Sequence, residues 1–146
     1  MTTTATSPVH DTRTTHHVAL ARSGHAPAVA RTITARWLSL CGVPPDAALD
    51  AVLVVSELVT NSVRHTTGPC ALTLTVHETM VDIAVTDTSP QLPTVRASSG
   101  ADENGGRGLA LLHEMGARVS VVLTARGKTV HATVALGAQA CHGLVE

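Results

Sequence analysis

The chain has 146 residues, 44% of them hydrophobic, with ten Lys plus Arg against eleven Asp plus Glu and a formal net charge of −1. That is apolar material for a single core and argues against a second domain. Evenly spread charge leaves no electrostatic footprint for nucleic acid or an anionic membrane, and one Trp with no Phe or Tyr leaves no aromatic platform for stacking bases.

Residues 1–15 are Thr-rich, poor in apolar side chains, and read as a flexible tail. A short first strand is expected over His17 to Leu20. From Pro27 a period near 3.6 brings Ala30, Ile33, Trp37, Leu38 and Cys41 onto one face, and Gly42 with Pro44-Pro45 ends that helix. Pro45-Asp46 opens a second helix, which Thr66-Thr67-Gly68-Pro69 terminates. This second helix carries Glu57, Asn61 and His65 at intervals of four, a polar stripe in an otherwise apolar run. Leu49, Val52, Leu53, Ser56, Val59 and Val63 fill the neighbouring face and Val54 and Leu58 the rest, so the helix reads as buried nearly all round. An unpaired acid and amide are costly to bury, so the stripe faces either a cavity holding a metal, water or phosphate, or open solvent.

The period then changes to two. Leu72, Leu74 and Val76, then Val81, Ile83 and Val85, alternate with polar or small residues around a turn near Glu78-Thr79, which predicts an antiparallel hairpin ending at Asp87. Residues 88–106 show no periodicity, and irregular segments of this length are commonly functional. Leu109, Leu111, Leu112 and Met115 suggest a short helix ended by Gly116. Two more strands follow, Val119 to Thr124 and Thr129 to Leu136, around an Ala125-Arg126-Gly127-Lys128 turn, and the last ten residues read as a tail. The predicted architecture is α+β: a two-layer α/β sandwich, helices on one face of a mixed, mainly antiparallel sheet.

Cys41, Cys70 and Cys141 are odd in number and far apart, as suits reduced thiols rather than a disulfide framework. The histidines match no zinc-ligand spacing. No apolar run reaches the roughly 18 residues of a membrane span, and the Thr-rich start lacks the order of a signal peptide, so a soluble, cytoplasmic protein is expected. Gly127-Lys128-Thr129 resembles the tail of a P-loop, but position 122 is Val where that motif requires Gly, and a strand follows where a helix should.

Three separated pieces have complementary chemistry: the Glu57/Asn61/His65 stripe, the strand-end Asp87, and Gly105-Gly106-Arg107-Gly108-Leu109 at a helix start, where backbone amides can hold an anion and Gly permits close approach. In this order and spacing they resemble the ATP-binding domain shared by gyrase, histidine kinases, heat-shock chaperones and mismatch-repair proteins. More narrowly, Val55-Ser56-Glu57-Leu58-Val59-Thr60-Asn61-Ser62-Val63-Arg64-His65, Thr86-Asp87-Thr88-Ser89-Pro90 and Gly106-Arg107-Gly108-Leu109 resemble the actinobacterial branch of the anti-sigma factor serine/threonine kinases.

The resemblance implies a Bergerat-type fold over residues 16–136, between tails at 1–15 and 137–146. It also implies ATP and Mg²⁺ as cofactors. Asn61 would ligate the Mg²⁺. Glu57 would be the general base toward the attacking hydroxyl, a task suited to a partly desolvated carboxylate. Asp87 would accept from the adenine amine, and Thr129, on a late strand, would support the adenine pocket. Gly106, Arg107, Gly108 and Leu109 would close over the phosphates. His65, with Arg64, lies at the helix end and is a candidate nucleotide contact. The implied function is a serine-protein kinase and anti-sigma factor, with an anti-anti-sigma (STAS-type) substrate, a sigma factor as sequestered partner and homodimerisation through the first strand and helix. One departure stands out: Asp87 is followed by Thr88-Ser89-Pro90-Gln91 where the superfamily has x-Gly-x-Gly, which predicts weaker nucleotide affinity. A nucleotide-gated binding module without kinase activity is therefore the alternative. A detached histidine kinase catalytic domain is a third reading, disfavoured because this length leaves no room for a phosphoacceptor helix pair.

Overall fold

A computed structural model of the chain describes residues 14–89 and 117–136. In chain order the elements are β1 (Thr14–Leu20), α1 (Ala26–Leu40), α2 (Pro45–His65), β2 (Cys70–His77), β3 (Met80–Asp87), β4 (Arg118–Thr124) and β5 (Gly127–Ala135). The strands form one sheet in the order β1-β2-β3-β5-β4. Every neighbouring pair is antiparallel, so among the described residues no parallel pair makes the sheet mixed. The architecture is α+β, as the change of period predicts. The short helix expected near Leu109, most of the segment 88–106, and Cys141 lie outside the described residues.

The termini of the helices follow local chemistry. At the end of α1, the Gly42 N–H donates to Ser39 O at 2.9 Å and the Val43 N–H to Leu38 O at 2.9 Å. This paired closure needs a left-handed residue, and Gly42 supplies it with φ of 87°. Val43 and Leu38 are both buried, adding the apolar contact that accompanies such a cap. Pro44, extended, leads into Pro45 in the first turn of α2, with Asp46 beside it and Arg64 and His65 in the last turn, each sign suited to its end of the helix dipole.

The alternation of β2 and β3 is realised: Leu72, Leu74, Val76, Val81, Ile83 and Val85 are each at most 7% exposed. They face α2, which lies across β2, β3 and β5, while α1 packs against α2 and β1. The second helix is less buried than its composition suggests. Ala48, Ala51, Val54, Val55, Leu58, Val59 and Ser62 form its inner side, whereas Leu49 and Leu53 are 55% and 41% exposed. A two-layer sandwich covers one side of each helix, so apolar residues on the far side stay in water. On α1 the inner row is Ala26, Ala30, Thr34 and Leu38, with Ile33, Trp37 and Cys41 only partly covered. Thr34 is fully buried, and among the described residues its hydroxyl has no hydrogen-bond partner.

Several boundaries differ from expectation, most of them by a residue or two. β1 begins at Thr14, because Thr14 and Thr15 continue the antiparallel register against Val76 and Thr75 instead of belonging to the tail. The β4–β5 turn is only Ala125-Arg126, since Thr124 already pairs with Gly127 and Leu123 with Lys128. The strand β5 also ends at Ala135, with the Leu136 N–H turning aside to Thr79 O.

Candidate nucleotide site

Asp87 and Lys128 stand opposite each other in the β3–β5 register, at the end of β3 and the start of β5. Period two decides which side each takes. Val81, Ile83, Val85 and Asp87 form one row, and Lys128, Val130, Ala132 and Val134 another, all buried beneath the helices. Gly127 makes the approach possible: a Cβ there would collide with the Asp87 carbonyl oxygen and lie 2.7 Å from Thr88 Cα.

Asp87 and Lys128 are 5% and 4% exposed. The Lys128 ammonium donates to Asp87 Oδ1 at 3.0 Å, Oδ2 at 3.1 Å and Ser89 O at 3.3 Å. The Ser89 N–H donates to Oδ1 at 3.0 Å. An ammonium has three donors, and these contacts use all of them; a carboxylate offers about four acceptor positions, of which three are taken. Burial of both charges is tolerable only with such complete pairing.

Between this pair and α2 lies a cavity of about 10 Å³, with Asn61, Ser62 and His65 on the helix side and Val85 and Val130 beneath. That volume admits about one water. Beyond it a wider cleft of about 330 Å³ is lined by Arg22, Arg64, His65, Thr66, Thr67, Thr88 and Ser89, so that His65 borders both spaces. Arg22 Nε donates to Thr66 O at 2.7 Å, tying the loop after β1 to the end of α2. Cys70 opens β2 nearby; burial raises its thiol pKa above the ordinary value, a hydrogen bond with Ser62 lowers it in part, and the negative Asp87 raises it further.

Of the residues singled out by sequence, Asn61, His65 and Asp87 converge on one cavity from two distant elements. Glu57 is half-buried one turn before Asn61 on the same helix and does not line the cavity. Thr129 does not reach the site. As the neighbour of an inward lysine it points to the opposite sheet face, where its hydroxyl shares a 2.8 Å hydrogen bond with Thr86, itself exposed. The inward position belongs to Lys128. In the sequence Lys128 reads as part of a turn and of a P-loop-like stretch, although the alternation through Val130, Ala132 and Val134 carries the signal for its direction. Gly106, Arg107, Gly108 and Leu109 lie outside the described residues. Among the described residues no three His, Cys, Asp or Glu side chains are grouped to hold a metal ion.

The family profile of the histidine kinase-like ATPase domain matches residues 19–134. The chain belongs to this family. Among solved structures, this ATPase domain is similar to the RsbU and RsbW domains of Rv1364c from Mycobacterium tuberculosis, with a TM-score of 0.60 and 20% identity over 83% of this chain and 31% of that one. It is also similar to the histidine kinase domain of the blue-light activated histidine kinase EL346 from Erythrobacter litoralis, with a TM-score of 0.49 and 22% identity over 70% of this chain and 50% of that one. The chain thus spans about a third of the length of the first structure and half of the second. No curated protein matches it.

Membership of an ATPase-domain family implies ATP as the ligand. The donor set agrees with that ligand: a carboxylate with one acceptor position to spare, and a half-buried amide on the facing helix. The volume does not, because Lys128 takes the space beside Asp87 and leaves room for a water instead of a purine. No described helix is long and apolar enough to cross a membrane.

Proposed function

We propose that the chain is an ATP-dependent regulatory serine-protein kinase and anti-sigma factor, which phosphorylates a serine of an anti-anti-sigma (STAS-type) partner and sequesters a sigma factor. The observation that carries this reading is the convergence of Asn61, His65 and Asp87 on one cavity within a histidine kinase-like ATPase domain. The structural likeness to a protein whose described part includes an RsbW domain supports it. In this reading Asp87 holds the adenine amine, and Asn61 supplies a neutral oxygen to Mg²⁺, which would charge-stabilise the phosphates. His65 and Arg64 border the route in, and Gly106, Arg107, Gly108 and Leu109 close over the phosphates. Glu57 takes the proton of the attacking serine hydroxyl, positioning and charge doing the remaining work. Homodimerisation through β1 and α1 and a cytoplasmic location belong to the same proposal.

The test is radiolabelled phosphate transfer to a STAS-type partner by wild type and Glu57→Ala. Transfer lost while ATP binding persists supports the assignment of the base; transfer that survives the substitution refutes it. A second reading, a nucleotide-gated binding module without transfer, is favoured by the Thr88-Ser89-Pro90 sequence after Asp87 and by the occupied pocket. Complex formation that depends on ATP, without phosphoserine on any partner, would establish that reading instead.

A further inference from the structure

We infer that Lys128 is a stopper in the base pocket and sets how tightly the protein holds a purine nucleotide. This rests on the nucleotide-binding reading above and deepens it. The ammonium occupies the position beside Asp87 that a base edge must take, and its contacts with both carboxylate oxygens, at 3.0 and 3.1 Å, compete directly with an exocyclic amine. The remaining space is about 10 Å³, whereas ligand pockets run to hundreds of cubic ångströms. A base can therefore enter only if a wall moves.

The candidates for movement are unequal. Leu58, Val85 and Val130 belong to the packed core and move only with it. Lys128 is different, since its flexible four-carbon stem can swing the ammonium without displacing backbone. Its longest contact, 3.3 Å to Ser89 O, also marks a way out, because Ser89 lines the open cleft beyond. When the ammonium leaves, Asp87 keeps the Ser89 N–H and gains acceptor capacity for the base amine. Nucleotide binding is thus coupled to the opening of a buried ion pair, and affinity is reduced by the work of opening it.

The experiment compares calorimetric ATP binding, with Mg²⁺, by wild type, Lys128→Thr and Lys128→Arg. Threonine suits a strand and vacates the pocket, so the dissociation constant should fall at least tenfold. Arginine keeps the charge and the pairing but fills more space, so binding should weaken at least tenfold, and this variant serves if the first does not fold. In parallel, the Lys128 ammonium signal of selectively ¹⁵N-labelled wild type should be protected from solvent exchange without nucleotide and lose that protection at saturating ATP. A folded Lys128→Thr that binds no tighter, an arginine variant that binds as well as wild type, or an ammonium that stays protected in the complex would each overturn the stopper. If wild type binds ATP and the substitutions leave affinity unchanged, only this inference falls. If no form binds ATP, the nucleotide-binding reading falls with it.

Discussion

Replacing Lys128 by Met isolates the energetics of the buried pair. Asp87, 5% exposed, would keep only the Ser89 N–H at 3.0 Å and lose both ammonium contacts. Removing one partner of a buried pair leaves an uncompensated charge and costs about 3–5 kcal/mol. For a chain of 146 residues this corresponds to roughly 10–16 °C in Tm. Replacing both groups, in Asp87→Asn/Lys128→Met, removes the orphaned charge while the amide still accepts from Ser89. Stability should return to within about 1 kcal/mol of wild type, since apolar or neutral replacements of buried pairs are often neutral or better. Urea unfolding of the four proteins of this cycle, at low and high salt, measures the coupling. A buried pair is screened little, so the coupling should be salt-independent. A single substitution costing less than about 1 kcal/mol, or a coupling that vanishes in salt, would show the pair to be solvated and the reasoning from burial wrong.

Other outcomes follow from single residues. Thr129→Val should leave ATP affinity within about twofold of wild type, because its hydroxyl serves Thr86 on the outer face; a loss of binding in calorimetry would return Thr129 to the pocket. Thr34→Val should raise stability by about 1–2 kcal/mol, since it replaces a fully buried hydroxyl without a partner among the described residues by a methyl group, and an unchanged or lower urea midpoint would contradict this. The raised Cys70 thiol gives a signed pH effect. Above the ordinary value of 9.0 the unfolded chain gives up the thiol proton while the folded one retains it, so stability falls as pH rises through that range. Cys70→Ala should flatten the decline of the unfolding midpoint between pH 8 and about 10.5, and equal slopes would refute the burial argument.

Periodicity made the fold legible. Leu72, Leu74, Val76 and Val81, Ile83, Val85 announce the central hairpin, and the prolines and glycines at 42–45 and 66–69 bracket α2. The exposure of Leu49 and Leu53 was not legible, because hydropathy does not say which side of a helix a second layer will cover. That Asn61, His65 and Asp87 line one cavity is foreshadowed by polar groups at fixed spacing in an apolar context. Lys128 is hidden in the sequence, where Gly and a charged neighbour mark Gly127 and Lys128 as part of a turn. The turn is two residues shorter than that, and the difference converts a surface lysine into the most buried cation among the described residues. Thr129 takes the outer face for the same cause, since one step along a strand exchanges the two faces.

The site also straddles a seam in the order of assembly. The β2–β3 and β4–β5 ribbons each close through a short local turn, but Asp87 and Lys128 come from different ribbons, 41 residues apart in sequence, and β1 meets β2 between residues as far apart as Thr15 and Thr75. Loop-closure entropy makes the local ribbons early and the distant joins late. The pocket therefore comes into being only when the two ribbons zip together, and β1 can add afterwards without altering it. Native-state hydrogen exchange would then divide the sheet unevenly: β1 amides open at low free energy, whereas those at the β3–β5 join report on the global transition. A partner that grips β1 could stiffen this outer strand while leaving the chemistry at the seam untouched.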